Sequence, residues 1–192
     1  MWGAMMTAMM LPAAAPTILL FGAVQRRRRA ERRPYAPVSA FLLGYLVVWG
    51  SYSVAAALAQ WALHSAGLLS PAMRSASPVL AGALLVAAGA YQWTPLKRAC
   101  LASCRSPLEF FAREWREGAR GAVRMGARHG TFCVGCCGAL MALLFVAGVM
   151  NLLWVAGLAG LVLVEKMAPG GAWLGRAAGL LLAGWGARLL AG

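Results

Sequence analysis

Four long stretches of this chain carry no charged side chain, and they limit its fold more than any other feature. Met1–Gln25, Pro34–Met73, Ser75–Leu96 and Gly130–Val164 hold no Asp, Glu, Lys or Arg. A bilayer core of ~30 Å needs about 20 apolar helical residues. Backbone groups in lipid must be bonded within their own segment, which leaves helices as the spanning structure. Of the 192 residues, 61% are apolar and only 12% charged, where a soluble domain has about a quarter charged. Disorder is excluded by the apolar content, and a secreted disulfide scaffold by the length and the five cysteines. The net charge of +13 would suit a nucleic-acid binder, but such domains do not carry long uncharged stretches, so no nucleic-acid partner is expected.

The expected fold is all-α: one integral membrane domain over residues 1–192, a polytopic bundle of five or six spans with the lipid bilayer as its first partner. Spans are expected near 2–24, 38–62, 77–95, 133–164 and 171–190. The last is short, because Arg176 and Arg188 flank its apolar centre and must snorkel. The fourth stretch, 35 residues long, would measure ~52 Å as one helix. It is either a long tilted helix or is broken near Gly148–Asn151, and Asn151 fits both a turn and an inter-helix hydrogen bond.

Arginine placement sets the orientation. Arg26, Arg27, Arg28, Arg29, Arg32 and Arg33 follow the first span, and eight more cations lie between Lys97 and Arg128, together 14 of the 18. The positive-inside rule puts both segments in the cytoplasm and the N-terminus outside, in an inner (plasma) membrane. The loop between spans two and three then faces outward with Arg74 as its one cation. Met1–Val24 is not expected to be a secretory signal, since its cations follow the apolar run. Between Ser106 and Arg128, Leu108, Phe111, Trp115, Ala119 and Ala122 recur at helical spacing, which predicts an amphipathic helix along the cytoplasmic face. Glu109–Arg113 and Arg113–Glu117 are i,i+4 pairs on it.

Sulfur is gathered in two places. Cys100 and Cys104 follow the third span, while Cys133, Cys136 and Cys137 open the fourth; all five cysteines fall within 38 residues. Cys100/Cys104 and Cys133/Cys137 are one helical turn apart, so each pair shares a face, and His129 falls on the face of Cys133. Thiols in a reducing cytosol are not structural disulfides. As soft donors they select Cu(I), zinc or iron–sulfur centres. Ordinary packing of small apolar cysteines is the competing reading. On the first helix, Met5 and Met9, and Met6 and Met10, are also i,i+4, and thioethers bind Cu(I) where thiols would be oxidised. Pro12 and Pro16 would free backbone carbonyls nearby. Glu165 and Lys166 read as an interfacial ion pair, the glycines as helix-packing positions and the tryptophans as interfacial belts. With no Asp in the chain, a Ser/His/Asp triad is impossible.

Several strings carry a resemblance that runs through nearly the whole chain. They are Met9-Met10-Leu11-Pro12-Ala13-Ala14-Ala15-Pro16, Gly44-Tyr45-Leu46-Val47-Val48-Trp49, the run Tyr91–Leu101, Arg124–Gly130, Cys133-Val134-Gly135-Cys136-Cys137, Gly148–Asn151 and Glu165-Lys166. The chain resembles a bacterial family of predicted metal-binding integral membrane proteins, a family of unknown function sometimes labelled copper chaperone. It departs from the family pattern at Gly138, where members commonly carry Trp, and members often have a further hydrophobic segment before the methionine motif. The resemblance implies copper as the cargo.

The expected function is therefore binding and handling of a soft metal ion, Cu(I) first and zinc as an alternative. Its candidate ligands are Cys133, Cys136, Cys137, Cys100, Cys104, His129, Met5, Met6, Met9 and Met10. Methionines at the outer face would receive the ion, and thiolates with His129 at the inner face would hold it or pass it to a protein donor or acceptor. Two other functions compete: a thiol–disulfide oxidoreductase using Cys133 and Cys136 with Cys100 or Cys104 as resolving thiol, and a structural subunit of a membrane complex.

Overall fold

The computed structural model describes residues 1–70 and 75–191, so the expectation for Arg74 lies outside the described residues. Among the described residues the chain is helical, its only β pairing an isolated bridge between Leu69 and Ser75. The helices are α1 (Trp2–Ala30), α2 (Val38–Ser65), α3 (Pro78–Tyr91), α4 (Pro95–Arg105), α5 (Pro107–Glu114), α6 (Gly118–Ala142), α7 (Leu144–Ala147), α8 (Leu152–Met167) and α9 (Gly171–Ala191).

Three of these segments are long and apolar enough to cross a membrane: α1, α2 and α6 continued by α7. The α3–α4 pair makes a fourth if its 64° bend lies within one span. This count is below the five or six expected. At 16 residues, α8 is ~24 Å long, short of a ~30 Å core, and α9 carries Arg176 and Arg188.

The breaks have local causes. In place of one crossing over 77–95, α3 ends at Tyr91 and the chain turns at Thr94, because the residue before a proline is pushed out of the helical region. Thr94 sits at ψ 147° and caps α4 by accepting from Lys97 N. Ser77 caps α3 in the same way, ahead of Pro78. The fourth stretch is broken: Gly148 adopts φ 89°, a left-handed conformation that favours glycine. Asn151 then caps α8, its Oδ1 accepting from Trp154 N at 3.2 Å. Asn151 is thus a helix start and not an inter-helix bridge.

The amphipathic stretch over 106–128 is also two pieces. The chain leaves the helix at Trp115 and re-enters at Gly118, whose φ is 73°. Phe110, Phe111 and Ala122 are buried, whereas Leu108 is 75% exposed. Arg113 pairs with Glu109 at 2.6 Å, but Glu117 bonds Arg28 instead. Arg28 also lies over the Trp115 ring. That contact joins the two basic segments at one end of the bundle.

Two helix pairs come unusually close. A Cβ on Gly44 would stand 1.9 Å from Val123 O, and one on Gly126 would stand 1.9 Å from Phe41 O, so α2 and α6 touch backbone to backbone. In α3 and α9, Gly82 opposes Gly186 and Gly89 opposes Gly179, each within 3 Å of the other's carbonyl oxygen if given a Cβ. A seven-residue glycine spacing on both helices gives an antiparallel contact of the small-residue type used in membranes. Gly157, Gly160 and Gly184 meet nothing within 4 Å and do not serve packing inside this chain. Trp2 and Trp49 lie in the core rather than in an interfacial belt, while Trp61 and Trp173 are exposed.

Two buried cores result. One is aromatic, with Phe21, Phe41, Phe110, Phe111 and Met125, near the basic end. The other holds all five cysteines with Met6, Met9, Met10, Tyr45 and Trp49.

Candidate metal centre

Cys133, Cys136 and Cys137 occupy one turn of α6, each no more than 1% exposed. The helix sets this arrangement, since positions three and four apart share a face. The Cys133 carbonyl accepts from both following thiols, Cys136 Sγ at 3.2 Å and Cys137 Sγ at 2.9 Å.

Four other helices bring partners to that turn. From α4, the Cys104 sulfur lies 3.8 Å from Cys136 Sγ. From α1, Met10 Sδ lies 3.6 Å from Cys137 Sγ. From α2, the Tyr45 hydroxyl reaches Met10 O at 3.1 Å and Cys133 Sγ at 3.3 Å. From α8, Lys166 Nζ donates to Cys133 Sγ at 2.8 Å.

The cysteine groups and the methionine motif, expected at opposite ends of the bundle, do not lie apart. They meet inside the bundle. Cys133 stands ~22 Å along α6 from Gly118, and Met10 ~24 Å along α1 from Arg26. A cytoplasmic-interface cluster follows only if the span starts at residue 133, three residues into the charge-free run. The helix starts at Gly118, which carries the cysteines into its middle.

The remaining candidates fall around this cluster. Cys100 is buried, but its sulfur fills the notch beside Gly135, where a Cβ would stand 2.6 Å away. His129 lies one turn before Cys133, packed by the rings of Phe41, Tyr45 and Phe110. Its Nδ1 is buried with no hydrogen-bond partner. Met6 is fully buried with Met10, Met9 is 6% exposed, and Met5 packs on the edge of the same core. The Tyr45 bond goes to the Met10 carbonyl, which neither Pro12 nor Pro16 frees, because each removes the bond to the carbonyl four residues earlier.

Glu165 and Lys166 do not pair with each other. Adjacent helical residues point in different directions, so Glu165 turns to Lys97, at 2.8 Å, while Lys166 turns to Cys133. Lys97 also donates to Gln92 Oε1. Gly171 and Gly175 leave the room Glu165 needs, since a Cβ on Gly175 would stand 2.2 Å from its Oε1. Arg105 donates to the carbonyls of Glu165 and Ala168 at 3.0 and 2.7 Å, closing the C-terminal end of α8.

Tyr45 and Lys166 are the residues that sequence reasoning missed as part of the site. Both had a signal. Gly44 beside Tyr45 marks a close helix approach, and a lysine on an apolar helix needs a partner that its neighbour Glu165 cannot supply.

Chemically, the cluster offers thiols, one thioether and a lone imidazole nitrogen nearby, with no free carboxylate. That set is soft and selects Cu(I) or zinc over hard cations. Sulfur–metal bonds of ~2.3 Å place ligand sulfurs ~3.8 Å apart in a tetrahedron. The Cys104–Cys136 and Cys137–Met10 separations of 3.8 and 3.6 Å lie at that spacing. Among the described residues, however, no three His, Cys, Asp or Glu side chains already surround one point. The donors are gathered in pairs, and ordering them about a single ion requires side-chain rotation.

A family model, PpoB2, described as copper chaperone, matches residues 1–189. No curated protein and no solved structure matches the chain.

Proposed function

The chain belongs to the PpoB2 family of copper chaperones, and on that premise we propose that it is a membrane protein that binds Cu(I) as cargo and passes it to a protein partner. The observation that carries this reading is two sulfur pairs at ligand–ligand spacing, Cys104 with Cys136 and Cys137 with Met10, beside Cys133. In this reading the binding set is Cys104, Cys133, Cys136, Cys137 and Met10, with His129 as a nitrogen donor within one helical turn. Cys100 is a reserve thiol, and Met5, Met6 and Met9 are thioethers on the approach. Thiols bind metal as thiolates, so loading releases protons. Lys166 supplies positive charge beside Cys133, and Tyr45 fixes the position of that sulfur. Transfer is exchange between soft donors and needs no protein acid or base.

The positive-inside rule supports an inner-membrane location with the arginine-rich end in the cytoplasm. In this reading α8 and α9 add the further crossings of a five- or six-span bundle.

The test is Cu(I) binding by purified protein in detergent, wild type beside Cys133→Ser/Cys136→Ser/Cys137→Ser. Loss of stoichiometric copper is expected, and unchanged binding overturns the reading. Zinc measured in the same samples decides between the two metals. The 3.8 Å approach of Cys104 to Cys136 favours a second reading, a thiol–disulfide exchanger. It predicts a reversible Cys104–Cys136 disulfide that forms with a redox partner, and thiols that stay reduced under such a partner would exclude it.

A further inference from the structure

The methionines at the start of the chain divide between two faces, and the face of Met6 and Met10 is the one that meets a cysteine sulfur. Met6 and Met10 are fully buried, and Met10 Sδ touches Cys137 Sγ. Met1, Met5 and Met9, at four-residue spacing, turn instead toward a cavity of about 500 Å³ between the start of α1 and the chain around the break before α8. Met150 lines it from the opposite wall, and every other lining residue is alanine, valine or leucine. Among the described residues, four thioethers are therefore the only heteroatom-bearing side chains in that space.

The walls are held in place. The Trp2 ring packs on Phe145 at a centroid distance of 5.1 Å, fixing the start of α1 against α7. Gly148 at φ 89° turns the chain so that Val149 and Met150 come beside α1. Packing alone does not account for Met150, which is 66% exposed.

We propose that this cavity is a second metal station, where Met5, Met9 and Met150, with Met1 at its rim, bind a monovalent soft cation before it reaches the cysteines. The inference rests on the copper reading above and adds an entry site to it. Neutral thioethers in an apolar wall give no purchase to hard divalent ions, which require oxygen ligands. They hold a soft monovalent ion weakly enough to release it to thiolates. The route inward is short in sequence: Met9 and Met10 are neighbours, and Met10 already contacts Cys137.

Ag(I), which matches Cu(I) in charge and softness and does not change oxidation state, is the probe. Full-length protein in detergent is titrated calorimetrically as wild type, as Met5→Leu/Met9→Leu/Met150→Leu and as Cys104→Ser/Cys133→Ser/Cys136→Ser/Cys137→Ser. Leucine conserves volume and removes the donor. Wild type is expected to show a tight and a weaker class; the leucine variant loses the weaker, the serine variant the tight one. Met150→Leu alone, at an exposed position, also diminishes the weaker class and guards against misfolding of the triple variant. A tight class accompanied by a weaker class that survives both leucine variants overturns this inference, as does a tight class alone in wild type, and either leaves the copper reading standing. No Ag(I) binding in wild type overturns both.

Discussion

Helix α6 lends its two halves to two cores that are equally buried and chemically unlike. Toward the basic end, Ala122 and Met125 pack into Phe21, Phe41, Phe110 and Phe111. Phe21 lies 5.0 Å from Phe41 and 5.9 Å from Phe111 between centroids. Those contacts are aromatic and dispersive and need nothing further to explain them. Two turns on, the same helix buries three thiols, and Lys166 from α8 brings an ammonium group to one of them. Burying a cation carries a desolvation cost that packing does not offset. Rings suffice to hold helices together, so the sulfur-and-lysine arrangement points to use rather than to support.

The sharpest way to break this comparison is to exchange the fates of the two cores. Cys133→Ser/Cys136→Ser/Cys137→Ser is expected to abolish Cu(I) binding while leaving the helical circular dichroism spectrum intact. Phe41→Ala is expected to do the reverse. It should lower stability by about 3–5 kcal/mol in a denaturation series, with copper stoichiometry unchanged in the protein that remains folded. Should Phe41→Ala remove copper binding from folded protein, the two cores are not separable.

A second comparison sets the two buried lysines side by side. Lys97 is matched by Glu165 and belongs to structure. Glu165→Gln should therefore destabilise by about 3–5 kcal/mol, as breaking one half of a buried pair does. Replacing both partners by methionine should recover most of that loss. Copper affinity of the folded double variant is expected to match wild type, and a large drop would move the Lys97–Glu165 pair into the metal site.

Tyr45→Phe sharpens the boundary between orientation and ligation. Removing the hydroxyl leaves Cys133 Sγ and Met10 O without that partner, a loss of about 1–3 kcal/mol. Copper affinity should fall about tenfold, the scale of an outer-shell orienting group, with stoichiometry unchanged. If stoichiometry falls instead, the tyrosine oxygen is itself a ligand.

The glycines give the smaller contrast. Gly126→Ala drives a Cβ into Phe41 O and should cost about 1–3 kcal/mol through forced separation of α2 and α6. Gly157→Ala meets open space and should change stability by no more than about 1 kcal/mol, in the stabilising direction, since alanine is the better helix former. Equal effects at both positions would refute the backbone contact between α2 and α6.

Much of the helical layout was legible because its signals are local. Pro95 opens α4 and holds Thr94 out of the helical region through its own ring, Gly148 turns the chain through its own φ, and Asn151 caps through its own side chain. The stretch over 106–128 departs from its periodicity for the opposite reason. Its apolar periodicity fits one helix, but the bond that Arg28 donates to Glu117 and the turn at Gly118 divide it. Of the candidate ligands, Cys104, Cys133, Cys136, Cys137 and Met10 converge. Cys100 sits beside Gly135 and His129 among rings, distinctions of helix rotation that spacing alone does not resolve.

The sequence by itself determined that this chain is helical, with stretches long and apolar enough to cross a membrane and its sulfur concentrated in two segments, because charge-free length and residue spacing are properties of the chain as a string. Only the tertiary structure decided that Met10 would stand against Cys137, 127 residues away, and that Lys166 would face Cys133 rather than Glu165. Those contacts depend on where helices cross and how each is turned about its axis, which the glycine contacts between α2 and α6 and the pairing of Lys97 with Glu165 fix jointly. No single segment carries that information.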